Sequence, residues 1–491
     1  MNADVTPNAL FCDHAVLQRD KPIPVWGQAA PGEKVTVRLA EKIAETTVAG
    51  ADGRWAVRLP AQPAGGPFAL VFEGKNRVAL TDVWLGEVWV CSGQSNMERQ
   101  LGPRPPQQPL VNWEQEVAAA DYPKIRHFAV AATPSDTTQS NTVGKWEVCS
   151  PQTAAQFSAV GYFFGRELQR QLQVPIGLIH TSWGGTPAET WMRRDLLAAQ
   201  FPEVLAAHER AIANYEVALA KYQVDEPSLL KAWDEAVAAA RALGKPSPVK
   251  PMPPRDPRSS QNRSRPATLY QGMIAPLQPY AIRGVIWYQG EANASRAEAY
   301  RTLFPALITD WRAQWGQGDF PFLFVQLAPY KGNGPEIRDA QLHAWCATPN
   351  TAMVVTTDVG DAEDIHPTRK EPVGARLALA ARALAYGEKI ECSGPRFTSA
   401  TVAGAKMIVR FDHLGGGLVA KVGPLRGFTI SGDGKTFVPA EAAIVGDTVE
   451  VSAANVASPL AVRYGWANVP DVNLFNSAGL PASPFRSDGK P

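Results

Sequence analysis

The residues able to do chemistry in this chain fall into four short polar clusters, each placed directly after an apolar run. Val88-Trp89-Val90-Cys91 leads into Gly93-Gln94-Ser95-Asn96, and Ile176-Gly177-Leu178-Ile179 leads into His180-Thr181-Ser182-Trp183-Gly184-Gly185-Thr186. Gly284 to Tyr288 leads into Gln289-Gly290-Glu291-Ala292-Asn293, and Met353 to Thr357 leads into Asp358 through His366-Pro367. Open α/β folds gather reactive groups outside the carboxyl ends of their strands, so four such ends can build one site. The parts suit acyl transfer, which needs a nucleophile, a base, a group that orients the base, and donors aimed at the developing oxyanion. Ser95 is the candidate nucleophile. Of seven histidines, His366 is the best base, because it follows a strand end and Asp361, Glu363 and Asp364 stand just before it to hold its tautomer. Each cluster alone has a plainer reading: serine is a preferred helix N-cap, and Gly-Gly or Asn is turn chemistry. The coincidence of all four points to a site.

Those clusters require a parallel sheet, and the patterning around them predicts one. Apolar runs, including Phe322-Leu323-Phe324-Val325, alternate with helical spacings at Val160, Phe163, Phe164, Leu168 and Leu172, and at Leu303, Leu307 and Trp311. Buried strands alternating with helices mean an α/β domain with a mostly parallel sheet, in two parts over 87–194 and 266–390. Before it, Val35, Val37 and Leu39, then Trp55, Val57 and Leu59, then Phe68, Leu70 and Phe72 alternate between Pro- and Gly-rich turns. This predicts an N-terminal β-sandwich-like domain over 1–86. Leu197, Leu205, Tyr215, Tyr222, Leu230, Trp233 and Val237 are spaced like two amphipathic helices, so 195–265 is expected to be a helical-hairpin insertion with a loose return loop. Met407, Val409 and Phe411 open a C-terminal β-rich region over 391–491.

Composition removes several function classes. The 48 Lys and Arg against 47 Asp and Glu leave a net charge of +1 with no basic tract, which argues against nucleic acid and anionic membranes as partners. The five cysteines form no C-x-x-C pair, so neither a zinc knuckle nor a dense disulfide framework is expected. No run reaches the roughly 18 apolar residues of a membrane span, and the first residues show no charged region followed by an apolar one, so no export signal is read in the chain as given.

Gly-Gln-Ser-Asn-Met at 93–97, Trp-Gly-Gly-Thr at 183–186, Tyr-Gln-Gly-Glu at 288–291 and Asp-Ile-His-Pro at 364–367 resemble the sequence blocks of the sialate O-acetylesterase-like branch of the SGNH (GDSL) hydrolases. The likeness reaches both ends, through Asp13 to Arg19, Leu269 to Leu277 and Leu480 to Arg486, and lapses only in the insertion. It implies a three-layer α/β/α domain with β-sandwich-like regions at both ends. It also implies a serine carbohydrate acetylesterase that removes O-linked acetyl groups without metal or other cofactor, at a periplasmic or secreted location. Carried over by position, Ser95 is the nucleophile and His366 the base. The oxyanion donors are the Ser95 N–H, an N–H of Gly184 or Gly185, and the Gln289 side chain. Gln94, Asn96, Trp183 and Glu291 bind substrate or brace the loops. The third member is open: the general pattern puts an acid three residues before the histidine, which is Glu363, whereas Asp364 stands two before and is narrowly favoured over it. A backbone carbonyl is the remaining choice.

An α/β-hydrolase needs Gly-x-Ser-x-Gly, and Met97 occupies the second glycine position. A carbohydrate-binding module would suit the 14 Trp but leaves Ser95 and His366 unexplained. Plentiful Trp and Pro with no basic cluster favour an acetylated plant cell-wall glycan such as a hemicellulose as substrate. A sialic acid would call for a fixed arginine, with Arg99 and Arg104 as candidates. Oligomeric state is not legible in the sequence.

Overall fold

A computed structural model describes residues 4–40 and 43–489. The apolar runs become seven strands of a central sheet: β1 (Arg77–Gly93), β2 (Tyr122–Ala129), β3 (Trp146–Cys149), β4 (Ile176–Ser182), β5 (Gly284–Tyr288), β6 (Phe322–Val325) and β7 (Thr351–Val354). Their spatial order is β3-β2-β4-β1-β5-β6-β7, parallel at every pairing except the β2–β3 edge. Strands β5, β6 and β7 are buried at every residue, as expected for strands covered on both faces. The longer helices are α1 (Ala159–Leu172), α2 (Pro202–Ala242), α3 (Ala297–Trp315), α4 (Pro335–Ala347) and α5 (Glu371–Tyr386). Helix α1 packs on α5 and α3 on α4, which completes the three-layer α/β/α arrangement.

The expected border between residues 86 and 87 falls inside one strand. Strand β1 is 17 residues long; its first half pairs antiparallel with Gly65–Glu73 of the N-terminal β-region, and its second half pairs parallel with β4 and β5. The sandwich and the α/β domain therefore share a backbone. Gly86 marks the crossing, where a Cβ would stand 2.1 Å from the Pro175 carbonyl oxygen. The next residue, Glu87, is fully buried and accepts from Arg19 Nε at 2.5 Å and Arg283 Nε at 2.7 Å, so it ties the N-terminal segment to the start of β5.

The insertion differs from the expected hairpin. After a short helix, Arg194–Gln200, α2 runs for 41 residues without a single buried one, and the chain returns as an extended segment rather than a second helix. The aromatic positions that looked like a helix–helix seam instead hold this return. Trp233 Nε1 donates to the Pro248 carbonyl at 2.9 Å, Tyr222 to that of Pro251 at 3.4 Å, and Arg258 lies over Tyr215. A Pro-rich strand of chain satisfies the apolar stripe that periodicity alone assigns to a helix. The C-terminal region is β-structured from Arg396 to Arg486, and Ser483 reaches back to accept from Gln326 at the end of β6 at 2.9 Å.

Candidate active site

Three strand ends meet at one level: Ser182 and Tyr288 are both in register with Gly93, on either side of it. Gly93 is required there, because its φ is +136° and a Cβ would lie 2.2 Å from the Tyr288 carbonyl oxygen. The chain then turns sharply into a four-residue helical turn, Ser95–Glu98, whose cap is Gln94 in extended conformation. Ser95 is thus the first helical residue and not the cap. Its hydroxyl has no hydrogen-bond partner among the described residues, and its N–H, at the first position of a helix, has no intrahelical acceptor.

A cleft of about 510 Å³ opens above this turn, lined by Ser95, Gly184, Gly185, Glu291 and His366 among others, so all four clusters contribute to it. His366 is the only histidine that lines it among the described residues. His180 is spent within its own strand, 2.5 Å from Ser182 Oγ, and burial lowers its pKa to about 4. Beside His366 stands Asp364, whose Oδ1 accepts the His366 backbone N–H at 2.8 Å and lies 3.6 Å from Nδ1. Glu363 turns away to solvent and pairs with Lys331. Geometry therefore places Asp364, not Glu363, against the ring, although the carboxylate is committed first to the loop backbone.

The expected oxyanion donors are not equally free. Gln289 is fully buried: its Nε2 donates to Thr186 O at 3.2 Å and Asn293 Oδ1 at 2.7 Å, and its Oε1 accepts from Tyr300 at 3.1 Å. Both amide hydrogens are used inside the fold. Its neighbour across the turn, Gln94, lines the cleft instead; Oε1 is held by the N–H groups of Gly290 and Ala292, and Nε2 has no partner among the described residues. Of the two glycines, Gly184 gives its N–H to Glu98 at 2.8 Å and its carbonyl to Arg263 at 3.1 Å. Gly185 is exposed at φ +75°, and its N–H has no acceptor among the described residues.

Burial is the first cause that lowers His366 below its ordinary 6.5, and the nearby Lys370 charge is the second. The neutral imidazole is the form that accepts a proton, so it prevails at every pH above that lowered value. We expect kcat/KM for a small acetyl ester to rise with pH through a half-point below 6.5 and then level off. A pH profile from 4 to 9 checks this, and a half-point above 6.5 contradicts it.

Sequence reasoning missed Arg263 and Lys370. Arg263 sits in the Pro- and Arg-rich return of the insertion, where nothing in the spacing distinguishes it, yet it lines the cleft with its guanidinium 5.4 Å from the Trp183 ring. Lys370 is four residues past His366 and buried, a placement only packing could reveal. The tryptophan count reflects the core: Trp89, Trp191, Trp287 and Trp311 are wholly buried. Among the described residues no three His, Cys, Asp or Glu side chains cluster as metal ligands, and no helix is long and apolar enough to cross a membrane.

Comparison with known proteins identifies relatives of this chain. A family model described as carbohydrate esterase, sialic acid-specific acetylesterase, matches residues 85–225 and 259–383. The sialate O-acetylesterase of Rattus norvegicus is 34% identical over 424 residues, which span 77% of this chain and 73% of that protein. The human protein of the same name is 31% identical over 408 residues, spanning 74% and 68%. A carbohydrate acetylesterase from Xanthomonas citri, known from its crystal structure, superposes with a TM-score of 0.82 at 38% identity and covers 99% of this chain and 100% of its own. With four strand ends converging on one cleft and similarity along most of its length, the chain belongs to the sialic acid-specific acetylesterase family of carbohydrate esterases and is an O-acetyl ester hydrolase.

Proposed function

We propose that the enzyme deacetylates sugar hydroxyls through an acyl-enzyme on Ser95, and that its substrate is an acetylated plant cell-wall oligosaccharide such as a hemicellulose. The observation that carries the reading is the opening of Ser95 and His366 onto one cleft. With Nδ1 facing Asp364, Nε2 of His366 is left for the nucleophile. His366 takes the hydroxyl proton as Ser95 Oγ bonds to the acetyl carbon, and the carbonyl electrons move to the oxygen. The Ser95 and Gly185 N–H groups and Gln94 Nε2 receive that oxyanion. As the carbonyl reforms, the bond between the acetyl carbon and the sugar oxygen breaks and His366 gives its proton to that departing oxygen. Water then attacks the acetyl-serine, His366 takes its proton and returns it to Ser95, and acetate leaves.

One feature supports a neutral glycan: the cleft is open to solvent. A periplasmic or secreted location, which the resemblance of the sequence blocks implies, is part of the same proposal, and cell fractionation would test it. A sialic acid substrate is favoured by the guanidinium groups of Arg104 and Arg263 at the cleft, and by the names of the matching family model and of the rat and human relatives. Arg99 is unavailable, since it is fully buried with Nη2 on the Gln108 carbonyl. Acetate release from acetylated xyloglucan, acetylated xylan and O-acetyl sialic acid decides between them. We expect release from a hemicellulose and less than about a 10-fold change in KM for it in Arg263→Ala, because a neutral sugar offers no carboxylate to the guanidinium. Release confined to O-acetyl sialic acid, with KM raised about 10- to 100-fold by Arg263→Ala, would replace the hemicellulose reading.

A further inference from the structure

Lys370 is the only buried lysine among the described residues, 1% exposed, at the start of α5 and four residues beyond His366. Its Nζ donates to Asn96 Oδ1 and lies 5.3 Å from the centre of the Tyr288 ring. Asn96 Nδ2 in turn donates to Glu291 Oε1 at 2.6 Å and to the Ile365 carbonyl at 3.0 Å. The amide has one sensible orientation, because an ammonium offers only donors while a carboxylate and a carbonyl offer only acceptors. One carboxamide thus joins the Ser95 turn, the turn after β5 and the loop that carries His366.

The charges in this knot are out of water. Burial lowers Lys370 to about 7 and raises Glu291, whose Oε2 is buried without a partner, so mutual attraction works against desolvation in both. Asp364 also supports the Lys370 charge, and Arg99 opposes it. Around His366, Lys370, Arg99 and Arg104 disfavour the imidazolium while Asp364 favours it, and Lys370 is the strongest of these charges.

We propose that Lys370 is a positioning residue for deacetylation: its Nζ–H locks the Asn96 carboxamide that ties the His366 loop to the nucleophile turn. While protonated, Lys370 also opposes the imidazolium of His366. This rests on Ser95 and His366 as nucleophile and base. A hydrophobic residue would be cheaper to bury at this position, so the buried charge is explained by what it does to the two loops.

The test uses the full chain, with p-nitrophenyl acetate as substrate and rates expressed per active site. Lys370→Met is expected to lower kcat about 10- to 100-fold, since a misplaced base costs rate more than binding. Its kcat/KM half-point moves to higher pH, because the strongest of the opposing charges is gone. Lys370→Gln supplies an N–H to Asn96 without the charge, so it recovers most of the lost kcat but keeps the shifted half-point. The half-point is read only from folded, working molecules, and Lys370→Met combined with Glu291→Gln provides a neutral pair should the single variant fold poorly. Wild-type kcat and half-point in Lys370→Met would overturn the proposal. So would equal losses in the Met and Gln variants with an unmoved half-point, the signature of packing alone. An active Ser95→Ala control would remove the nucleophile assignment and this proposal with it, whereas an inactive control beside an unaffected Lys370→Met removes this proposal only.

Discussion

Ser95→Ala should abolish acetate release, with kcat lower by about 10⁴-fold or more and the fold intact. The size follows from the loss of the covalent step: what remains is an oxyanion pocket with no nucleophile beside it. Folding should survive because the hydroxyl bonds to nothing among the described residues and does not cap its turn, so no native hydrogen bond disappears. Acetate release from an acetylated oligosaccharide, with a thermal melt alongside, checks both halves. Folded Ser95→Ala protein that retains more than about 1% of the rate would rule Ser95 out as nucleophile.

The second large effect is expected at His366, and its contrast with the two acids is the informative part. His366→Ala should lower kcat about 10³- to 10⁴-fold, because no other histidine lines the cleft to take the serine proton. Asp364→Asn should cost only about 10-fold. Its Oδ1 is 2.8 Å from the His366 backbone N–H but 3.6 Å from the ring, so an asparagine oxygen keeps the loop bond and loses only the charge. Glu363→Gln should change little, since that side chain points to solvent toward Lys331. Steady-state rates for the three variants on one acetyl ester rank the roles. If Asp364→Asn fell as far as His366→Ala, the carboxylate would have to swing onto Nδ1 when substrate binds, and the loop bond seen here would be a resting arrangement.

The nucleophile turn was legible because it rests on local rules. An apolar strand followed by Gly93-Gln94-Ser95 declares a buried strand ending in a tight turn, and four such endings in one chain restrict where a parallel sheet can place them. The form of the helical insertion was not legible. Apolar residues at helical spacing state that a face is covered without stating by what, and here an extended return segment covers Tyr215, Tyr222 and Trp233.

The sequence by itself therefore determined the α/β class, the candidate nucleophile and base, and the acyl-transfer chemistry, since these follow from residue type, strand-end position and period. Tertiary structure alone decided which groups remain free to act. Gln289 is consumed by Thr186 and Asn293 and the Gly184 N–H by Glu98, while Gln94 and Gly185 still line the cleft. Arg263 arrives from the insertion and Lys370 is driven inward against Asn96. Hydrogen-bonding capacity is a property of each residue, but whether it is already spent depends on partners brought close only by the fold.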